Sequence, residues 1–379
     1  MKTVLLTLGR LPKGLDVARS FAAFGWRVIV ADPFRDHLLG ASRAVAKSFR
    51  VPSPAFGADA YLDALLDIIA EERVELVVPV SEEIMYVSLL RERAPADVRV
   101  FAMPSAALHA AHDKFAFAMK AASLGLGVPR TALASEALAE EIAAADDFVV
   151  KERHSCGGGG VSFFARGAVF PRSEDALVQA RARGDEYSSC SLAHEGRVLG
   201  TSIYRAAVTS GTVAVRFERV DREAIDHWIE RFVADTAWTG FVSFDFIMET
   251  GCAPLVLECN PRLTSGVHFF ETSDIARAIV DPSAPLRRRP ERLLQQFWSC
   301  LQEAQHALPN LLRFVQGVAE ILRTRDVTWS FADPAPLLTM PWTSREILRE
   351  ASRANLSLAV AATRDLSWIP AATNPGVKR

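Results

Sequence analysis

Residues 240–262 read GFVSFDFIMETGCAPLVLECNPR. Two β-rich runs, Gly240 to Met248 and Pro254 to Cys259, flank the turn-formers Glu249, Thr250 and Gly251, a pattern that predicts an antiparallel hairpin. Side chains in a strand repeat every second residue, so Glu258 and Asn260 share a face, and antiparallel pairing sets Asp245 near Glu258. Three oxygen donors then converge. Mg²⁺ is a hard cation that takes one or two carboxylates and completes its shell with water and substrate phosphates, so the trio suits a metal held against a nucleotide. A solvated hairpin end is the alternative, disfavoured by the apolar strands around Asp245 and Glu258. Pro261 stops the strand, and Arg262 brings a permanent cation suited to a transferring phosphoryl group or to a plain surface salt bridge.

Upstream of the hairpin, Lys151 ends a strand and is followed by His154, Ser155, Cys156 and four glycines, Gly157, Gly158, Gly159 and Gly160. Four successive glycines carry a large entropic cost that a simple turn does not need. Their bare backbone amides can approach phosphate oxygens and close over them while Lys151 supplies charge; a flexible hairpin without a ligand is the alternative. His154 and Cys156 are read as neither nucleophile nor metal ligand. His112 to Leu124 has the pattern of one helix, with Asp113 placed to cap it and Gly125 and Gly127 to end it.

At the N-terminus, Val4 to Leu8, Arg27 to Val30, Val74 to Val80 and Val98 to Phe101 are strand-like runs. They alternate with helical segments such as Leu15 to Phe24 and Ala60 to Glu72, the pattern of successive βα units on a parallel sheet. The first turn offers Gly9 and Gly14 but has Leu11 where a dinucleotide fingerprint needs glycine, and Leu15 and Asp16 where a P-loop needs Lys and Ser or Thr. This domain is therefore not expected to hold NAD or ATP in the usual way, and Asp32 is read as a cap rather than a ribose ligand.

Composition bounds the rest. The 379 residues are 50% hydrophobic and 23% charged with a net charge of −2, an ordinary globular balance in which two or three units sharing a cleft are expected. Basic residues are scattered apart from Arg287, Arg288 and Arg289, read as a solvated linker, so no nucleic-acid footprint is expected. Five cysteines without CxxC spacing, no export signal and no apolar run of about 20 residues point to a cytoplasmic protein without a membrane span.

Taken in order, Lys114, Lys151 with its glycine run, Asp245 and the run Glu258, Cys259, Asn260, Pro261, Arg262 resemble the ATP-grasp superfamily over residues 1–275. The resemblance implies an α/β and α+β architecture. A Rossmann-like pre-ATP-grasp domain (1–105) leads into a two-part ATP-grasp fold, with a small subdomain carrying the glycine loop (106–185) and a large one carrying the metal hairpin (186–280). A mainly helical C-terminal extension (281–379) follows, packed on the core or serving as a lid or homodimer contact. It further implies that Lys114 and Lys151 hold ATP phosphates under Gly157 to Gly160 and that Glu186 binds the ribose. Gln179 stands where relatives often carry the Glu of the adenine-binding hinge, a departure that leaves adenine contact to hinge backbone. Asp245, Glu258 and Asn260 would hold Mg²⁺ or Mn²⁺, with Arg262 and Lys151 as catalytic cations. Ser81, Glu82 and Glu83 resemble a loop of the first domain that faces the substrate. The implied reaction joins a carboxylic acid to an amine through an acyl phosphate, releasing ADP and phosphate. Kinase-like or carboxylase-like chemistry and a non-catalytic ATP-binding subunit or sensor are the competing readings.

Overall fold

The structure is a computed structural model and describes residues 1–155, 160–211, 213–306 and 308–368. Strands β1 (Thr3–Leu6), β2 (Arg27–Asp32), β3 (Lys47–Arg50), β4 (Leu76–Val78) and β5 (Arg99–Val100) form a parallel sheet in the order β3-β2-β1-β4-β5. The sheet reverses direction of growth between β1 and β4, so loops after these two strands face one crevice, the usual ligand position of an open α/β sheet. Helices Pro12–Ala23 and Ala58–Glu72 bury Leu15, Phe21, Tyr61 and Leu65 against it.

A four-stranded antiparallel sheet follows, made of β6 (Thr131–Leu133), β7 (Phe148–Glu152), β8 (Val161–Phe164) and β9 (Ala176–Ala180) in the order β6-β9-β7-β8. The third sheet is built from β10 (Asp185–His194), β11 (Arg197–Ser210), β12 (Val213–Val220), β13 (Gly240–Met248), β14 (Leu255–Asn260), β15 (Leu293–Gln295) and β16 (Arg325–Asp326). Its order is β14-β13-β10-β11-β12-β15-β16, which puts the hairpin at one edge. The last two strands come from the region after residue 280, so that region extends the large sheet as well as adding helices.

Alternation along β13 sets the hairpin's two faces. Phe244 and Phe246 point into an aromatic cluster with Phe117, Trp228 and Phe232, centroids 5.1–6.0 Å apart for the pairs involving Phe244 with Trp228, Phe232 and Phe117. Burying these rings pins the register, and one residue of slip would turn Asp245 into the core.

The helix expected over His112 to Leu124 runs over Lys114–Ser123 with Asp113 as its cap, and His112 instead ends a preceding helix, Ser105–His112. Asp113 is extended (φ −66°, ψ 107°) and its carboxylate accepts from the amides of Phe115 and Ala116, which makes Lys114 the first residue of the second helix. The arginine triplet departs from a solvated linker at Arg289, which is buried and donates to Asp16 Oδ1 and the Phe270 carbonyl; Arg287 and Arg288 are exposed as expected, Arg287 in a two-armed ion pair with Asp274. Among the described residues, no helix is long and apolar enough to cross a membrane.

Candidate functional site

The hairpin pairs Asp245 directly with Glu258 and Ser243 with Asn260, and the register shifts just beyond, between Asp245 and Phe246. The three expected donors therefore stand together and half-buried on one face. Asn260 Nδ2 donates to Asp245 Oδ2 at 2.9 Å and lies 3.5 Å from Glu258 Oε1, and Ser188 of β10 donates to Asp245 Oδ1 at 2.6 Å.

Lys114, the first residue of its helix, and Lys151, on β7, both bear on Glu258. Lys114 Nζ stands 3.3 Å from Glu258 Oε2 and donates to the Ser155 carbonyl at the entry to the glycine run. Burial opposes ionisation of Glu258, but Lys114 and Lys151 outweigh it and hold its carboxyl down to about 2. Burial and the neighbouring Glu258 charge push Asp245 up to about 7. A pair of facing carboxylates, one reluctant to ionise, beside an amide oxygen is a donor set that a hard divalent cation would satisfy, so the residues fit Mg²⁺ or Mn²⁺. Among the described residues no cluster of three or more His, Cys, Asp or Glu offers a second metal site of that kind, the hairpin trio itself counting two carboxylates and an amide.

Lys151 is buried, and burial lowers it to about 8 with Glu258 pulling the other way. Its Nζ donates to Gln179 Oε1 at 2.8 Å, and Gln179 Nε2 donates to Thr131 Oγ1 at 2.9 Å. Gln179 thus aims into the sheet and orients Lys151. The following segment joins β9 of the four-stranded sheet to β10 of the seven-stranded one, and Arg181, Ala182, Arg183, Gly184 and Glu186 line a cavity of about 470 Å³ with Phe163 and Ile247. Glu186 is exposed in that cavity wall. Cys156, Gly157, Gly158 and Gly159 lie outside the described residues; Gly160 has φ +71° beside Glu152.

Arg262 carries the site across to the first domain. Its Nη2 donates to Asn260 Oδ1 at 3.0 Å and its Nε to Glu82 Oε2 at 2.8 Å. Glu82 is 3% exposed and is kept below the usual carboxylate range because Arg262 and His112 overcome its burial. Its neighbour Glu83 is structural: it accepts from the amides of Val80 and Ser81 and from Thr7 Oγ1. Lys13, buried and lowered to about 7 chiefly by burial and then by Arg262, ties Ser81 Oγ to the Leu263 carbonyl. Asp32 caps the first turn through the amides of Gly9 and Arg10, as a capping role requires.

Sequence reading missed Ser188, whose only signal is its place two residues after Glu186 on the same strand face. It also missed His112 and Trp368. His112 Nε2 is 3.4 Å from Glu82 Oε1, and Trp368 arrives from the far end of the chain to stack on His109 with ring centroids 4.1 Å apart. No local pattern announces such a contact.

Residues 111–266 match the family model described as the ATP-grasp domain. No curated protein gives a significant sequence match. Several solved structures share the fold. N5-carboxyaminoimidazole synthetase from Staphylococcus aureus is 15% identical, with 76% of this chain and 80% of that chain covered at a TM-score of 0.58. Biotin carboxylase from Campylobacter jejuni, in a complex with β-γ-ATP, is 14% identical over 75% and 73% of the two chains, TM-score 0.58. L-amino acid ligase from Bacillus licheniformis is 14% identical over 74% of each chain, TM-score 0.56.

Proposed function

We propose that this chain, a member of the ATP-grasp superfamily, is an ATP-dependent carboxylate–amine ligase. The observation that carries the reading is the convergence of Asp245, Glu258, Asn260, Lys114, Lys151 and Arg262 on one cleft. Two lysines, one arginine and a divalent-cation donor set are more positive potential than structure alone requires, and a polyphosphate is the partner they fit.

In this reading the base and ribose of ATP occupy the cavity between Arg181 and Glu186, which directs the phosphates toward Lys114 and Lys151. A Mg²⁺ or Mn²⁺ ion held by Asp245, Glu258 and Asn260 supplies charge neutralisation at the phosphates. Gln179 keeps Lys151 aimed, and Glu258 keeps Lys114 aimed. Arg262, fixed between Asn260 and Glu82, faces the side from which a carboxylate approaches the γ-phosphate. Attack of that carboxylate gives ADP and an acyl phosphate; attack of an amine then gives the amide and releases phosphate. Domains 1–105, 106–185, 186–280 and 281–379 are the units we assign to substrate loop, glycine loop, metal hairpin and extension, and the glycine run is the segment that would shield the acyl phosphate from water.

The deciding measurement is ADP release from purified protein given Mg²⁺, ATP and pools of amino acids and carboxylic acids, with mass measurement of any product. Glu258→Gln and Lys151→Ala should each abolish turnover in a folded protein, and normal ADP release from either would remove the site assignment. A carboxylase-type use of the same centre is the second reading, favoured by the likeness to a carboxyaminoimidazole synthetase and a biotin carboxylase. It predicts ADP release that requires bicarbonate.

A further inference from the structure

The described chain ends in a strap, residues 363–368, that recrosses the first domain. Asp365 forms a two-armed ion pair with the buried Arg10 at 2.8 and 3.0 Å, and its carbonyl accepts from Ser53 Oγ and the Ala55 amide. Leu366 is fully buried, and Tyr86 donates its hydroxyl to the Ser367 carbonyl at 2.9 Å. Burying a charge pair seldom adds stability over an apolar substitute, so such an anchor makes more sense as a way to fix position. What it fixes is Trp368.

The half-buried Trp368 ring lies stacked on His109, with His112 and His154 edge-on at centroid distances of 6.1 and 5.8 Å. All three imidazoles hold protons more weakly than usual because of burial, so the wall is flat, aromatic and uncharged near neutral pH. Directly beside it is Glu82, ionised, 3% exposed and with Oε1 accepting no hydrogen bond, and beyond Glu82 is Arg262. Arg262 satisfies Glu82 Oε2, but Oε1 has only His112 Nε2 at 3.4 Å and no aligned hydrogen bond, and a buried carboxylate oxygen left so beside an aromatic wall calls for a ligand that brings both a cationic N–H group and a planar face.

Resting on the ligase reading, we propose that Trp368 is a specificity-determining residue and that the amine substrate is an α-amino acid with an aromatic side chain. Its ammonium group goes to Glu82 and its ring to the wall of Trp368, His112 and His154.

The test is calorimetric titration of L-phenylalanine, L-tyrosine, L-tryptophan, L-histidine and L-alanine into the full chain with MgADP present, for wild type, Trp368→Ala, Trp368→Leu and Trp368→Phe. Aromatic amino acids should bind wild type more tightly than L-alanine. Trp368→Ala should weaken them about tenfold, the scale of one lost aromatic contact, while Trp368→Phe stays within about threefold of wild type. Trp368→Leu keeps apolar bulk without a ring and reads the same contrast if the alanine variant does not fold. Equal affinities for L-alanine and the aromatic set, an equal loss for all of them in Trp368→Ala, or no amino-acid binding would each overturn the inference. A parallel MgADP titration separates the failures: wild type that binds MgADP but no aromatic amino acid overturns the wall alone, and wild type that binds no MgADP overturns the nucleotide site as well.

Discussion

Asp245 and Lys151 each hold a charge state that burial makes expensive, and both costs show in what a substitution should do. Asp245 faces Glu258 across the hairpin and resists ionising. Asp245→Asn removes that repulsion, keeps one oxygen to accept from Asn260 Nδ2 and turns its new amide group to donate to the Ser188 hydroxyl oxygen, so the metal-free protein should gain on the order of 1 kcal/mol of stability. The same change takes a carboxylate from the proposed cation site. A thermal melt should therefore show a higher midpoint without ligand and a smaller rise on adding MgADP than wild type; an undiminished rise would remove Asp245 from the metal site. Lys151, lowered to about 8, is cationic below that pH and neutral above it. Phosphates favour the protonated amine, so MgADP affinity should be full below about pH 8 and fall as pH rises through it. The unliganded fold follows the opposite sign: its lysine binds protons more weakly than in the unfolded chain, so this group adds stability as pH climbs from about 8 toward the ordinary lysine value. Calorimetric Kd values at pH 7 and pH 9 check the first claim, with Lys151→Met expected to flatten the profile. Both residues were legible in the sequence because each sits in a strand beside apolar neighbours, where an unneeded charge is costly. Gln179 was legible only as a departure from a pattern, since which way its amide points depends on Thr131, 48 residues away in sequence.

Element boundaries set how these side chains meet. The cap at Asp113 starts the expected helix two residues late and aims its first residue, Lys114, at Glu258. A capping residue was visible in the sequence; that the preceding turn would be a separate helix was not, because His109 to His112 keep helical spacing right up to the cap. Gly184 plays the comparable part between the two later sheets. It has φ +125°, and a Cβ there would sit 2.4 Å from the Met248 carbonyl, backbone that cannot swing aside. Gly184→Ala should therefore strain the chain by about 1–3 kcal/mol and push β10 away from the end of β13. Because Gly184 also lines the cavity proposed for the nucleotide, urea midpoints and MgADP affinity should fall together; a variant with lower stability and unchanged MgADP affinity would mean that the cavity does not take the nucleotide.

At the scale of the whole molecule, the parallel sheet and the hairpin follow from local periodicity, but the closure of the chain on itself does not. Arg10, Asp32 and Asp365 are ordinary residues in sequence, and only the fold places two carboxylates on one guanidinium 355 residues from the second. Arg10 and Asp32 have no side-chain exposure, and Asp365 has 11%. This triad occupies the ends of β1 and β2, where an open α/β sheet commonly keeps its ligand, so in this chain a segment of the protein itself fills part of that crevice. Removing Asp365 leaves a fully buried guanidinium with one carboxylate and opens the strap's anchor. Asp365→Ala should lower stability by about 3 kcal/mol in urea denaturation, the scale for breaking a buried pair by deleting one partner. The cavity proposed for the nucleotide is lined by the segment between the two later sheets, with Phe163 and Ile247, and by none of the strap, so MgADP affinity should stay within about twofold of wild type. If the strap were a loosely attached tail, the same substitution would leave the urea midpoint where it was, because an exposed side chain on a free segment contributes within about 0.5 kcal/mol.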